Sequence, residues 1–558
     1  MQPNLLHYVD YLVFLVYFVI VAGYGYYIYQ KKKKATTDSK DFFLAEGSLT
    51  WWAIGASLIA SNISAEQFIG MSGSGFSMGL AISTYEWMAA ATLIVVAVFF
   101  LPIYLKNKIY TMPQFLERRY NQTVSTIMAV FWLLLYVVVN LTSILYLGAL
   151  AINKISGINF YACMVALSFF AVLITLGGMK VIGYTDVIQV FFLILGGLAT
   201  TYLALDLVAQ HFGQSGVLKG FSLLHQHADD HFHMIFKKDQ PHYLDLPGLS
   251  ILVGGMWIVN LNYWGCNQYI TQRALGADLK TARSGLLFAG FLKLLMPVIV
   301  VLPGIAAYVL YQQGLYHGEM LKDGSLNPDN AYPVLLNLLP MGLKGLAFAA
   351  LTAAVVASLA GKANSISTIF SLDIYKKIYN KDADEKKIVS VGRTTVIIAM
   401  VIAIVLSNFL GIDKKGGFQF IQEYTGFVSP GVFAMFVMGF FWKRTTSNAA
   451  LFAMIAGLVM SFVLKFLPMW VNLEPLYQFG WAAPNAAGVY EMAFIDRMGV
   501  VFVICVVGMI IISLADPSSK NNPKGLAIDG SMFKTAMPFT IGALFIIGIL
   551  IALYTVYW

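Results

Sequence analysis

Fifteen residues, Ser61 to Gly75, read SNISAEQFIGMSGSG inside an apolar stretch that runs from Trp51 to Trp87. Ser61, Asn62, Ser64, Glu66 and Gln67 bring hydroxyls, amides and an acid to a depth where lipid offers no hydrogen-bond partner. Further polar groups occur at mid-span positions: Glu86, Asp186, Lys293, Lys362, and Glu423 next to Gln422. Each is costly in a membrane unless paired or hydrated. Glu66, Asp186 and Glu423 read as groups that tie helices together. Gln67, Glu86, Asn260, Lys293 and Gln422 form a different set, with donors and acceptors drawn from five spans. Amides with one acid and one base suit an uncharged polyol, because each hydroxyl needs both a donor and an acceptor. Tyr263, Trp264 and Phe418 offer aromatic faces for stacking, or ordinary core packing. A hard cation needs oxygen ligands, and the carbonyls freed by an unwound segment supply them. The small-residue run Leu351–Gly361 either lines such an ion site or packs helix on helix. Both readings stand at this level.

Positioning these groups requires membrane-spanning helices. The chain of 558 residues is 59% hydrophobic and 11% charged, where a soluble domain carries about 25% charged residues. Apolar runs near 9–29, 51–79, 80–105, 124–152, 158–178, 184–208, 247–272, 282–312, 335–372, 388–410, 418–442, 447–467, 495–515 and 535–556 predict an all-α polytopic membrane protein of about fourteen helices. The run Tyr11–Tyr29 is too long for a signal-peptide core and reads as a retained span. Basic residues at Lys31–Lys34, Lys106/Lys108/Arg118/Arg119, Arg273/Lys280/Arg283, Lys376–Arg393, Lys443/Arg444 and Lys520/Lys524 fall on one face by alternation. That places both termini extracytoplasmic.

A second polar interruption, Asn260 to Gln268, lies five spans after the first. Two broken helices five apart fit an inverted repeat with its binding site at the membrane midplane, the arrangement of secondary transporters. The expected organisation is an N-terminal helix and cytoplasmic linker (1–50), a first repeat (51–208) and an extracytoplasmic loop (209–246). A second repeat (247–445) and three peripheral helices (446–558) follow. The 209–246 loop carries His225, His227, His231 and His233 and reads as a solvated loop with a polar helix rather than a metal tract. Loops 313–334 and 468–490 read as surface connections. Cys163, Cys266 and Cys505 are too scattered for disulfides or a metal centre. No G-x-S-x-G, H-E-x-x-H or nucleotide loop stands in a suitable context, which counts against an enzyme. A sensor that binds without transporting is disfavoured by the lack of an appended signalling domain.

The chain resembles the solute:sodium symporter family, in its sodium/glucose and sodium/galactose cotransporter branch. The resemblance runs from DFFLAEGSLTWWAIGASLIASNISAEQFIGMSGSG through YTDVIQVFF, NQYITQR, FLKLLMP, VLPGIAAYV and NSISTIFSLDIYKK to FQFIQEYTGFVSPG. It implies a LeuT-type five-plus-five inverted repeat with discontinuous first and sixth core helices. It implies sodium-driven import of a monosaccharide, with Na+ as coupling ion and no organic cofactor. The implied sugar contacts are Gln67, Glu86, Asn260, Lys293 and Gln422, supported by Asn62 and Asn140. Tyr263 would gate the inner side beside Trp264, with Met71, Tyr85 and Phe418 on the outer side. Sodium would take carbonyls of Ala60, Ile63 and Ala354 and the hydroxyl of Ser358, with Asp186 along its exit path. Ala357 stands where the family often has a second serine, and hydroxyls used for a second sodium give way to Ala360 and Gly361. One sodium per sugar is therefore expected. Lys362 either snorkels toward the cytoplasm or pairs with Asp186, and Asn262 replaces an aromatic near the gate. Other solutes, such as an inositol or amino sugar, remain open. The partners implied are the sugar, sodium and the bilayer of a plasma membrane, bacterial inner membrane by resemblance, with neither nucleic acid nor an obligate protein partner.

Overall fold

A computed structural model describes residues 6–31, 42–43, 49–322, 324–409, 417–520, 522–526 and 528–558. Most of the expected linker before Trp51, including Lys32–Lys34, lies outside the described residues. The protein is helical apart from two short antiparallel pairs, Leu321–Lys322 with Ser325–Leu326 and Ala483–Pro484 with Tyr490–Glu491. Among the described residues ten helices are long and apolar enough to cross a membrane, and Phe160–Leu176 and Ser429–Phe441 are shorter apolar helices. The expected total of fourteen is not reached on this measure. Helices interrupted near Ile63, Cys266 and Phe427 leave segments of only 8 to 13 residues, among them Trp51–Asn62, Gln268–Leu275 and Ser429–Phe441.

The chain divides into two compact units. The first comprises 1–83, 129–233 and 272–418. It contains the 34-residue helices Gly178–His211 and Leu279–Gln312 and the helix Leu343–Thr368. The last of these is buried along nearly its whole length. Leu343–Thr368 is rich in Ala, Gly, Ser and Thr because its neighbours approach closely, and small residues permit that approach. Tyr17 and Val21 of the N-terminal helix Tyr8–Lys31 pack on its Ala349 and Ala353. At Gly304 in Leu279–Gln312, an added Cβ would lie 2.0 Å from the Ser72 carbonyl oxygen. Only glycine fits that contact.

The second unit comprises 84–128, 234–271 and 419–558. Its core joins Ser429–Phe441, Ser447–Phe466 and Phe494–Ala515 to the interrupted helix Gly255–Gly265. Arg119, counted above as a loop charge, is buried at the end of Met112–Arg119. Its guanidinium donates to the carbonyls of Gly439 (2.8 Å), Trp442 (2.8 Å) and Thr445 (3.0 Å). Five fixed donors let one arginine satisfy several orphan carbonyls at a helix end. Glu423 pairs with Lys465 and with Arg497 at 2.7 Å, the scaffolding role expected of it.

Two loops differ from expectation. Within 313–334, the turn Pro328–Asn330 packs against the first unit's interior, and an added Cβ at Gly73 would lie 2.9 Å from the Asp329 amide nitrogen. In the histidine-rich loop, His231 is buried and stacks on Tyr308 at 3.8 Å, its Nε2 3.0 Å from the Phe76 carbonyl. That ring fits because Gly79, at φ +70°, turns the chain directly over the His231 backbone. No group of three or more potential metal ligands occurs among the described residues.

Candidate functional site

The first interruption is much narrower than its sequence suggests. Trp51–Asn62 ends at Ile63, which is extended at φ −83°, ψ 118°, and helix resumes as a π-helical turn from Glu66 to Met71. Ser72–Met78 is α-helical. The glycines of MSGSG therefore serve close packing and not unwinding. At Gly70 the nearest neighbour is Phe418, whose Cβ would lie 2.8 Å from an added Cβ. Met71 and Phe418 are both buried in this region of the first unit.

Breaking a helix releases carbonyls that would have accepted i+4 amides. Here Ala60, Ser61 and Ile63 turn theirs toward Ser358 of Leu343–Thr368. The Ser358 Oγ lies 3.3, 3.1 and 3.0 Å from those three oxygens, and the serine is fully buried. Oxygens around a hard cation at about 2.4 Å stand about 3.4 Å apart along an octahedral edge. The Ser358 Oγ lies slightly nearer its three carbonyls than that edge length. Ala354 lies one turn before Ser358 on the same helix. Ser61 was not anticipated as a contributor, because nothing in a side chain signals where a backbone oxygen points.

Polar side chains surround this cluster in the first unit. The Gln67 Oε1 accepts from the Ser64 amide (2.9 Å) and hydroxyl (3.2 Å), so the amide group caps the break. Asn62 Oδ1 accepts from the Nζ of Lys293, which is buried in Leu279–Gln312. Asn140 sits in the π-helical turn Leu135–Leu141 and accepts from Lys362 Nζ at 3.2 Å. Lys362 is buried, and its Nζ also lies 5.1 Å from the Tyr136 ring centroid. A buried ammonium is stabilised by the amide oxygen and aromatic face within its reach.

Asp186 is fully buried and accepts from Ser57 Oγ, which in turn accepts from Arg273 Nε at 2.9 Å. Arg273 was counted among basic loop residues; the structure buries it against this serine and acid. Next to it, Gln272 donates to the Phe43 carbonyl and to Thr368 Oγ1 (2.8 Å) and accepts from Ser365 (3.1 Å). Gln272 and Arg273, the last two residues of NQYITQR, are thus held inside the first unit rather than facing water. A charged residue just after an interrupted span, followed by a capping Asp278, was the signal available in the sequence.

The second unit holds the remaining candidates. Glu86 and Tyr85 are buried at the start of Thr84–Val95. Asn260 is buried in Gly255–Gly265 and donates to the Met256 carbonyl at 3.1 Å. Tyr263 and Trp264 lie edge to face with centroids 5.2 Å apart, Trp264 buried and Tyr263 half-buried. Gln422 is half-buried on Gly417–Gly426. Residues 260–265 are helical, so the second break is confined to Cys266 and Asn267. Tyr104 closes it by donating to the Gly265 carbonyl at 2.6 Å. Asn262 donates to Ser429 Oγ at 3.2 Å.

A family model described as the sodium:solute symporter family matches residues 42–457. The chain belongs to that family. It is 45% identical over 561 residues to the sodium/glucose cotransporter of Vibrio parahaemolyticus, covering 99% of both chains. It is 34% identical over 480 residues to the sodium/myo-inositol cotransporter 2 of Sus scrofa, covering 81% of this chain and 69% of that one. The fold matches a Na+-coupled sialic acid symporter solved in a substrate-bound outward-open state. That match has TM-score 0.75 and 21% identity over 91% of this symporter and 98% of that chain. This sodium:solute symporter is an integral membrane protein of LeuT-type fold.

Proposed function

We propose that this symporter uses sodium to import an uncharged hexose of the glucose or galactose class, one sodium per sugar. The observation that carries the reading is the convergence of Ser358 with the carbonyls of Ala60, Ser61 and Ile63. Sodium there, with Ala354 completing its shell, fastens the broken helix Trp51–Asn62 to Leu343–Thr368 and favours an outward-facing, sugar-competent state. The near-full-length similarity to a sodium/glucose cotransporter supports the substrate class.

Gln67, Glu86, Asn260, Lys293 and Gln422 take the sugar hydroxyls, with Asn62 and Asn140 in support. Met71, Tyr85 and Phe418 close the outer side, and Tyr263 with Trp264 the inner. Sodium departure past Asp186 releases the broken helix, and the inner gate then opens. Residues 51–208 and 247–445 act as the inverted repeats, 209–246 as the loop joining them, and 446–558 as the periphery. Both termini lie outside the cytoplasm of a bacterial inner membrane. The cycle needs no covalent chemistry.

A tenfold sodium gradient is worth about 1.4 kcal/mol and ~100 mV about 2.3 kcal/mol. Their sum of about 3.7 kcal/mol sustains a sugar gradient of about five-hundredfold with one sodium. Myo-inositol is the second reading, favoured by the similarity to a sodium/myo-inositol cotransporter and by the same neutral-polyol chemistry. Uptake of labelled glucose, galactose and myo-inositol into proteoliposomes separates these readings. A hexose should accumulate under a sodium gradient and not under a potassium one. Uptake of myo-inositol alone moves the assignment to the second reading; equal uptake under either cation refutes sodium coupling.

A further inference from the structure

Lys362 follows Ser358 by four residues on Leu343–Thr368 and is buried. Residues four apart share a helix face, about 6 Å from one another. The residue that carries this ammonium therefore stands one turn from the hydroxyl that meets the Ala60, Ser61 and Ile63 carbonyls. Its contacts lead back to the same break. The Nζ donates to Asn140 Oδ1, and the Asn140 carbonyl lies 3.1 Å from Ser143 Oγ. That hydroxyl is 3.2 Å from Glu66 Oε1, and Glu66 opens the π-helical turn after the break. Asn140 and Ser143 thus link Lys362 to Glu66. Arg273 also faces Lys362, but its own partners are Ser57 and, through it, Asp186. Two acids, Glu66 and Asp186, and two bases, Lys362 and Arg273, thus lie around the break.

We propose that the Lys362–Glu66 pair sets the affinity of the symporter for its coupling cation. The ammonium raises the potential at the Ser358 oxygens, and the carboxylate, three residues beyond Ile63, lowers it. This rests on the sodium reading above and deepens it. The consequence is a sign that packing alone does not produce. Lys362→Met leaves Glu66 uncompensated and lowers the sodium concentration for half-maximal uptake. Glu66→Gln removes the carboxylate's negative potential and raises it. At an effective dielectric constant of about 20, one charge about 7 Å away is worth at least about tenfold in either direction. The double variant returns to within about threefold of the wild type.

Two measurements test this: sodium activation of sugar uptake in proteoliposomes, and sodium-dependent thermal stabilisation of the purified protein without sugar, choline replacing sodium. Lys362→Arg keeps the charge and stays near the wild type. Lys362→Gln, which retains a donor to Asn140, stands in for the methionine variant if that does not purify, with the same expected direction. Half-saturation shifting the same way in the lysine and glutamate variants, or not shifting, overturns the proposal. Wild-type uptake indifferent to sodium would instead end the sodium reading. Wild-type uptake that needs sodium, with variants moving together, ends this proposal alone.

Discussion

Ser358→Ala removes a single oxygen from a fully buried position and leaves the helix otherwise unchanged. Two effects compete. With sodium bound, the hydroxyl oxygen interacts with a full positive charge, a contact of about 1.5–3 kcal/mol. Without sodium, the same hydroxyl donates to one of three carbonyls 3.0–3.3 Å away, worth about 1 kcal/mol. The variant loses both, so the net penalty on sodium binding is about 0.5–2 kcal/mol. Half-saturating sodium should rise about 2- to 30-fold. The sugar KM at saturating sodium should change less than threefold, because Ser358 touches the break and none of the sugar candidates in the first unit. The assay is initial-rate uptake of labelled glucose or galactose over a wide range of sodium concentrations at constant ionic strength. A sodium requirement equal to or lower than that of the wild type refutes the placement of the cation at Ser358. A sugar KM that rises in step with it refutes the separation of the two tasks along Trp51–Met71.

Ala357→Ser adds a hydroxyl beside Ser358 and should lower half-saturating sodium by a few fold, read in the same uptake assay. Lys293→Ala removes the donor to Asn62 and should raise the sugar KM about tenfold or more with a smaller effect on sodium, as one charged hydrogen bond is worth about 1.5–3 kcal/mol. Asp278 caps Leu279–Gln312, and the Thr281 hydroxyl and amide hold its carboxyl below the usual carboxylate range. A depressed folded value means that this cap stabilises fully above the unfolded pKa, near 4, and is lost as pH falls through the folded value. Asp278→Ala should cost about 1 kcal/mol at neutral pH, and the deficit should shrink below pH 4 in thermal unfolding of the detergent-solubilised protein.

Some features were legible in the sequence for plain reasons. Apolar runs of about 20 residues have few alternatives to crossing a membrane. A polar insert such as SNISAEQ at that depth marks an interruption because lipid cannot solvate it. Glu423 was recognisable as scaffolding, and its partners Lys465 and Arg497 bear that out. Other features misled for equally physical reasons. The glycines of MSGSG look like an unwound loop, yet they are helical, since a missing side chain serves close helix packing as well as flexibility. Arg119 and Arg273 look like loop charges, yet each is buried against carbonyls or a buried serine.

The sequence by itself determined the class of protein, the existence of two broken helices and the polar residue types gathered near them. Those follow from composition and local pattern, because the bilayer penalises unpaired polar groups wherever they occur. Tertiary structure alone decided which oxygens converge. A backbone carbonyl carries no side-chain signal, so the aim of Ala60, Ser61 and Ile63 at Ser358 emerges only once Trp51–Asn62 packs on Leu343–Thr368. It likewise decided the partner of Lys362, because Asn140 and Tyr136 are brought to that ammonium from more than two hundred residues away by helix packing.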